Sequence, residues 1–129
     1  SIATLSAEAL AGRWVDELTQ GMEGTECRAG FIKLAMSEDG PTEIEVRNLR
    51  AAALTSRQTG AAIASHTIGG TVARREMDTL ERAGHDLRRF IWVHAHTEPE
   101  TSAHVEAARR GAWLEFDAKF YRKLVNTTS

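Results

Sequence analysis

The stretches AAIASHT at residues 61–67 and FIWVHAH at residues 90–96 decide the fold. Each is a short apolar run that leads directly into a segment containing histidine. Short apolar runs that alternate with amphipathic helical patterns are typical of parallel βα units. Both stretches therefore predict strands of a parallel sheet, and each strand would deliver a histidine, His66 or His94, at its carboxyl end.

Two more apolar runs extend this pattern in both directions along the chain. AGFIKLA at residues 29–35 and AWLEF at residues 112–116 predict a first and a fourth strand. Apolar residues spaced three or four apart predict the intervening helices. These helices cover residues 6–20, 42–60, 71–83 and about 97–111, and the tail at residues 118–125 predicts the start of a last helix. The sequence thus predicts an α/β fold of alternating parallel βα units.

Capping residues mark where two of these helices begin and where one ends. Thr42 is followed three residues later by Glu45, and Thr97 by Glu100, which is the spacing of a capping box. Gly60 is a natural stop, because glycine readily adopts the left-handed conformation that ends a helix. The sequence therefore predicts helices that begin near Thr42 and Thr97.

Composition and length exclude several classes of protein. The 129 residues carry 16 basic and 18 acidic side chains, and 42% are hydrophobic, as in an ordinary globular domain. The near-neutral charge argues against a nucleic-acid partner. No apolar run approaches the roughly 20 residues that span a bilayer, so we expect no membrane partner. A complete (β/α)8 barrel needs about 250 residues, and the chain is too short for one.

Cysteine usage and the first residues bear on the compartment. Cys27 is the single cysteine, so the chain can form no internal disulfide. The first residues also lack the basic and then apolar pattern of a signal peptide. Both observations favour a reducing, cytoplasmic location.

Polar side chains occur within or just after each predicted strand. Lys33 lies inside the first strand, His66 and His94 end the second and third, and Asp117 follows the fourth. Parallel α/β folds carry their chemistry at the carboxyl ends of strands. Each side chain also has a plain structural interpretation: Lys33 can extend to water from an edge strand, a lone histidine is commonly a hydrogen-bonded structural residue, and Asp117 can cap the next segment.

Two histidines on adjacent strands would suit one metal ion. Neutral imidazole is the commonest metal-binding side chain, and catalytic zinc sites usually have three protein ligands and an open position. Lys33 as an ammonium ion has no lone pair, so it would have to be deprotonated or carboxylated by CO2 before it could bind a metal.

Four segments together resemble the phosphotriesterase family of the amidohydrolase superfamily. GMEGTECRAGFIK at 21–33 is similar to the family's GI-x-x-T-x-x-(R/K)-A-G-x-IK stretch, and TGAAIASHT at 59–67 to its TG-x-P-(I/V)-x-x-HT. FIWVH at 90–94 stands where the family has a strand ending I-x-H, and GAWLEFD at 111–117 looks like the next strand. The ordered set covers residues 6–117.

This resemblance implies a single partial domain over residues 1–129, with about strands four to seven of a (β/α)8 TIM barrel. It implies a metal-dependent hydrolase in which the lysine at the Lys33 position is carboxylated and bridges two divalent metals, usually zinc. The histidines at the His66 and His94 positions bind the second metal. A hydroxide between the metals attacks a small-molecule ester, lactone or phosphotriester.

The chain also departs from the family pattern. It has no counterpart of the paired histidines on the first barrel strand or of the aspartate after the eighth strand. We therefore expect at most one metal in this chain and weak or absent hydrolysis by the chain alone. His96 and Asp117 receive no defined role.

A non-catalytic module is the alternative to a hydrolase. Four strands cannot close a barrel, and open sheet edges tend to pair with other chains. An excised or degenerate half-barrel would then fold by oligomerising, and we expect a homo-oligomer. A flavodoxin-like binding domain has no support, because the sequence has no glycine-rich phosphate loop.

Overall fold

The computed structural model describes residues 6–20 and 31–116. Strands and helices alternate through this part of the chain, with two short 3-10 helices at Leu87–Arg89 and Ala95–Thr97. The main elements are α1 (Ala7–Gln20), β1 (Ile32–Ala35), α2 (Glu43–Thr59), β2 (Ile63–His66), α3 (Gly70–Arg82), β3 (Phe90–Val93), α4 (Thr101–Arg109) and β4 (Trp113–Glu115).

The strands form one parallel sheet in the order β1-β2-β3-β4. This confirms the predicted parallel βα units. Connections between parallel strands are almost always right-handed. Because the spatial order follows the chain order without reversal, successive right-handed connections place their helices on the same face. The sheet is thus wound in one direction, as in a barrel, and has no switch point of the doubly wound kind.

The two faces of the sheet differ in their environment. The face toward the helices is apolar and buried, and its strand residues pack against α2 and α3. Ile32, Leu34, Ile63, Phe90 and Trp92 supply this face. Side chains alternate between faces along a strand, so the register places another set on the open face: Lys33, Ala35, Ala64, His66, Ile91, Val93, Trp113 and Glu115.

The start and end of α2 are those that the sequence predicts. Thr42 accepts a hydrogen bond from the Glu45 amide, and the Glu45 carboxylate accepts one of 2.8 Å from the Thr42 amide. The same carboxylate accepts bonds of 2.9 and 2.7 Å from the amide and hydroxyl of Ser37. Gly60 ends the helix with φ of 78°. This capping box therefore also ties the loop after β1 to α2.

The predicted capping box at Thr97 and Glu100 is wrong. The helix begins at Thr101, and Glu100 makes no side-chain capping bond. Pro99 disfavours the helical region for the residue before it, and Glu98 is accordingly extended, with φ of −94° and ψ of 118°. The helix cannot start until the chain has passed this proline, and Thr97 has other partners.

Several sequence predictions fall on residues 21–30 and 117–129, outside the described part. They concern Cys27, Asp117, the start of the first strand and the helix at residues 118–125. Within residues 6–20 and 31–116, no helix is long and apolar enough to cross a membrane.

Candidate active site

His66 and His94 meet at the carboxyl edge of the sheet. His66 is the last residue of β2, and His94 directly follows β3. Nδ1 of His66 lies 3.0 Å from Nε2 of His94, within hydrogen-bond distance. The rings meet edge to face, with centroids 4.8 Å apart and an interplanar angle of 69°. The structure therefore brings together two of the three predicted metal ligands.

The neighbouring strands fix the backbone around His66 from both sides. The His66 carbonyl accepts a hydrogen bond of 3.0 Å from the Met36 amide, just beyond β1. On the other side, the Thr67 amide donates a bond of 3.2 Å to the Val93 carbonyl of β3. These bonds hold the end of β2 in the sheet, and the pleat directs the His66 side chain to the open face.

His94 has a left-handed backbone, with φ of 71° and ψ of 33°. This conformation is uncommon for residues other than glycine and costs of order 1–3 kcal/mol. The Thr97 hydroxyl donates a bond of 2.7 Å to the His94 carbonyl and accepts one of 2.9 Å from the Gly69 amide. Thr97 thus links the loop that carries His94 to the loop that follows His66.

Glu98 adds a second link between the same two loops. Its carboxylate accepts a bond of 2.8 Å from the Gly70 amide at the start of α3 and one of 2.9 Å from the Glu100 amide. These backbone hydrogen bonds, from Glu100 and Gly70, lower the pKa of Glu98 below its usual value. The carboxylate therefore supplies the cap that α3 does not obtain from Gly69.

Lys33 lies on the open face, on the strand next to His66. It pairs with Ala64 in the register, two residues before His66, while Ala35 pairs with His66 itself. The Lys33 side chain is exposed, so its charge stays in contact with solvent and is not buried. Its Nζ lies 5.4 Å from the centroid of the Phe31 ring. Lys33 therefore shares a face with His66, and solvent can reach its amine.

Two further histidines lie near the pair. The rings of His94 and His96 are 5.6 Å apart and almost perpendicular. His104 of α4, which the sequence analysis did not single out, lies within hydrogen-bond distance of the Ala95 carbonyl, at 2.8 Å from its Nε2. Its ring also contacts those of Trp92 and Phe116. His104 is therefore a structural residue beneath the loop that carries His94.

Glu76 is a second residue that sequence reasoning missed. It lies on α3 and is fully buried, and its carboxyl group is hydrogen-bonded to the side chains of Thr67 and Ser65. Burial raises the pKa of Glu76 to about 7, although these hydrogen bonds act to lower it. A signal was present, because Glu76 interrupts an apolar stripe at the helical spacing of Val72, Ala73, Met77 and Leu80.

The histidine pair fits a divalent metal ion. Two nitrogens bound to zinc at about 2.0–2.1 Å each would lie about 3.3 Å apart at a tetrahedral angle, and the observed separation is 3.0 Å. Among the described residues, no group of three or more His, Cys, Asp or Glu side chains could hold a metal ion. A third ligand from this part of the chain would therefore be of another type, and Lys33 is the one that shares this face.

A parallel sheet whose strands follow the order of the chain, with two histidines at its carboxyl edge, is typical of part of a TIM barrel. Proteins of this class carry their chemistry at the carboxyl ends of the strands. A sequence model of the phosphotriesterase family matches residues 1–125. The chain belongs to the phosphotriesterase family.

Two curated relatives indicate how much of such a protein the chain represents. A phosphotriesterase homology protein of Escherichia coli is 35% identical over 117 residues, which are 90% of this chain and 40% of that protein. A phosphotriesterase-related protein of Nematostella vectensis is 34% identical over 112 residues, or 85% of this chain and 32% of that protein. The chain thus spans about a third to two fifths of these relatives.

Solved structures agree with this assignment. The crystal structure of the Escherichia coli protein, complexed with phosphate in its active site, superposes with a TM-score of 0.84 over 90% of this chain and 40% of that one, at 35% identity. A lactonase of Listeria monocytogenes superposes with a TM-score of 0.85 over 93% of this chain and 37% of that one, at 30% identity. The predicted fold class, a partial TIM barrel of parallel βα units, is confirmed.

Proposed function

We propose that the chain carries the ligands of one metal in the active site of a metal-dependent hydrolase, with Lys33, His66 and His94 as those ligands. The substrate class is a small-molecule ester, lactone or phosphotriester. The observation that carries the proposal is the 3.0 Å approach of His66 and His94 at the carboxyl edge of the sheet. A hydrogen bond at this distance would place one proton between the two imidazole nitrogens, and a divalent cation would replace that proton.

Each residue has its own task in this proposal. His66 and His94 would each present the lone pair of a neutral imidazole nitrogen. Lys33 would first lose a proton, and its amine nitrogen would then form a bond to the carbon of CO2, with loss of a second proton. The product is an anionic carbamate, which has the oxygen ligands that an ammonium group lacks. Exposure of Lys33 allows CO2 to reach it.

A divalent cation bound here would supply Lewis-acid polarisation of the bond under attack and a water of lowered pKa. The protein's own contribution is orientation. The strand hydrogen bonds at His66 and the Thr97 bond to His94 hold the backbone of both histidines in place before any ligand arrives. A preorganised site of this kind loses little conformational freedom on binding.

Membership of the family supports the hydrolase class. Its relatives include the Listeria monocytogenes lactonase. Because the chain covers 40% or less of these relatives, we propose the hydrolase activity for the whole protein and not for this chain alone. We expect the chain alone to hydrolyse substrate weakly or not at all, since the ligands of the family's first metal have no counterpart in its sequence.

Metal content and hydrolysis of paraoxon and of a lactone test this proposal together. We expect up to one zinc per chain, stronger binding in bicarbonate buffer than in buffer without CO2, and loss of that difference in Lys33→Met. A zinc affinity that changes neither with bicarbonate nor in Lys33→Met would contradict the role of Lys33. Full turnover by the 129-residue chain would contradict the expected weak activity.

A non-catalytic module that folds by oligomerising is the second candidate function. One observation favours it: Trp113 is 66% exposed, and it belongs to β4 at one edge of the described sheet. A second copy of the chain that covered the open face would bury this ring. Native mass, from sedimentation equilibrium, tests the proposal, since a monomer at all concentrations would contradict it.

A further inference from the structure

Glu76 makes its hydrogen bonds on the side of the sheet opposite His66. Ser65 and Thr67 flank His66 in the chain, and both are fully buried, whereas His66 is exposed. The Glu76 carboxyl group is hydrogen-bonded to both of these side chains. Glu76 therefore holds Ser65 and Thr67, the two neighbours of His66 in the chain, from the helix side of the sheet.

The residues around this carboxyl group form a small buried network. The Thr67 and Ser65 side-chain oxygens are 3.2 Å apart. The Trp92 indole donates a bond of 3.0 Å to the Thr67 carbonyl. Together, the bonds from Glu76, Ser65 and Trp92 fix the point at which β2 turns into the loop before α3.

Packing alone does not account for a carboxyl group at this position. The neighbouring buried positions of α3 are Val72, Ala73, Met77 and Leu80, so an apolar side chain would continue the core. Burial of a polar group is costly unless it is hydrogen-bonded. Within the described part of the chain, Oε2 of Glu76 has no hydrogen-bond partner. The benefit that offsets this cost must come from the bonds to Ser65 and Thr67.

We propose that Glu76 is a positioning residue for His66, which by bonding Thr67 and Ser65 holds the imidazole at the distance and angle needed to meet His94. The inference rests on the proposed function, because positioning matters only if the pair binds a metal. Glu76 touches neither histidine, and its effect passes through the backbone of residues 65–67.

The test compares Glu76→Gln with Glu76→Leu. Glutamine keeps the shape and a carbonyl oxygen that accepts the Thr67 bond, whereas leucine keeps the packing and removes the bond. Thr55→Val is the matched control, because it also removes a buried hydroxyl. This hydroxyl donates to the Ala51 carbonyl of α2 at 2.8 Å and lies 3.4 Å from the Ala11 carbonyl of α1, away from the histidine pair. If Glu76→Leu does not fold, Thr67→Val removes the same hydrogen bond.

Two measurements are made on each folded variant. The first uses the metal-free chain: nitrogen-15 NMR of the imidazoles reports whether His66 and His94 each keep one protonated and one bare nitrogen. The second is zinc affinity by calorimetry. Loss of a group that hydrogen-bonds a metal ligand directly typically weakens metal binding about 10–100-fold. Glu76 acts through the residues on either side of His66, so for Glu76→Leu we expect the lower end of this range, about tenfold, with averaged imidazole signals. Glu76→Gln and Thr55→Val are expected to retain the parent affinity within about threefold.

Two outcomes would overturn the proposal. One is a Glu76→Leu chain, or Thr67→Val in its place, whose imidazole signals match those of the parent. The other is a Thr55→Val chain that loosens the pair to the same extent, which would show a general effect of destabilisation. Failure of the parent chain to bind zinc would contradict the proposed function, while the metal-free NMR measurement would still decide the role of Glu76.

Discussion

Nδ1 of His66 and Nε2 of His94 lie 3.0 Å apart although 28 positions separate the two residues in the sequence. The register of the sheet creates this contact. His66 pairs with Val93, so the residue that follows β3, His94, emerges beside it at the same edge. The left-handed backbone of His94 then completes the contact between the rings. A sheet register and a strained residue thus produce the candidate metal site.

The left-handed conformation of His94 predicts an unusual order of stability between two variants. We expect His94→Gly to be more stable than His94→Ala by about 0.5–1 kcal/mol. The left-handed penalty of about 1–2 kcal/mol for alanine exceeds the chain-entropy cost of about 0.5–1 kcal/mol for glycine. Urea unfolding measures the difference. His96, inside a 3-10 helix, is the control, and there the alanine variant should be more stable than the glycine variant. The same order of stability at both positions would contradict the account.

We predict that the Thr97 hydroxyl contributes measurably to stability through the link between the two histidine loops, in addition to the link through Glu98. Thr97→Val removes the bonds to the His94 carbonyl and the Gly69 amide and should lower the free energy of unfolding by about 1–2 kcal/mol, since two part-buried backbone groups lose their partner. Thr97→Ser retains the hydroxyl and should lose less than about 0.5 kcal/mol. Thr79→Val, which removes a bond within one helix, is the control. A Thr97→Val chain as stable as that control would rule out the link.

Because the pKa of Glu76 is raised in the folded chain, we predict that the free energy of unfolding depends on pH. Its pKa is about 7 in the folded chain against an ordinary value of 4.5, through burial and with a small contribution from Glu45. The folded state therefore holds the proton between these values, and stability falls as pH rises through this window, by about 1.4 kcal/mol per unit. Below the window the contribution is fully present, and above it the contribution is lost.

Glu76→Gln should remove this dependence, because an amide does not titrate. The parent and the variant should unfold with similar free energies at pH 4.5, and the variant should be more stable at pH 8 by on the order of 3 kcal/mol. The difference between the two chains cancels the titration of other groups. Parallel stability curves for both chains from pH 4.5 to pH 8 would mean that Glu76 titrates normally.

Much of the fold could be predicted from the sequence because local patterns agreed with the final packing. The capping box at Thr42 and the stop at Gly60 need only neighbouring residues, and both are as predicted. The box at Thr97 failed because its hydroxyl bonds the Gly69 amide, 28 positions away. No local pattern contains such a partner.

The candidate site was predictable to a similar degree. The strand ends predicted that His66 and His94 would share an edge, since parallel strands align their carboxyl ends. The side chain behind them, Glu76, interrupts an apolar helix stripe, which was visible in the sequence. Its partner Thr67 lies nine residues earlier, in the loop after β2, and sequence reasoning could not supply that contact.

Zinc binding by the histidine pair tests the central claim most directly. Isothermal titration of the metal-free chain with zinc in bicarbonate buffer should give about one ion per chain. His66→Ala and His94→Ala should each weaken binding at least about 100-fold, since each removes a direct ligand, whereas His85→Gln, a buried histidine before β3, should leave it unchanged. No zinc binding, or binding that survives both substitutions at the pair, would contradict the account.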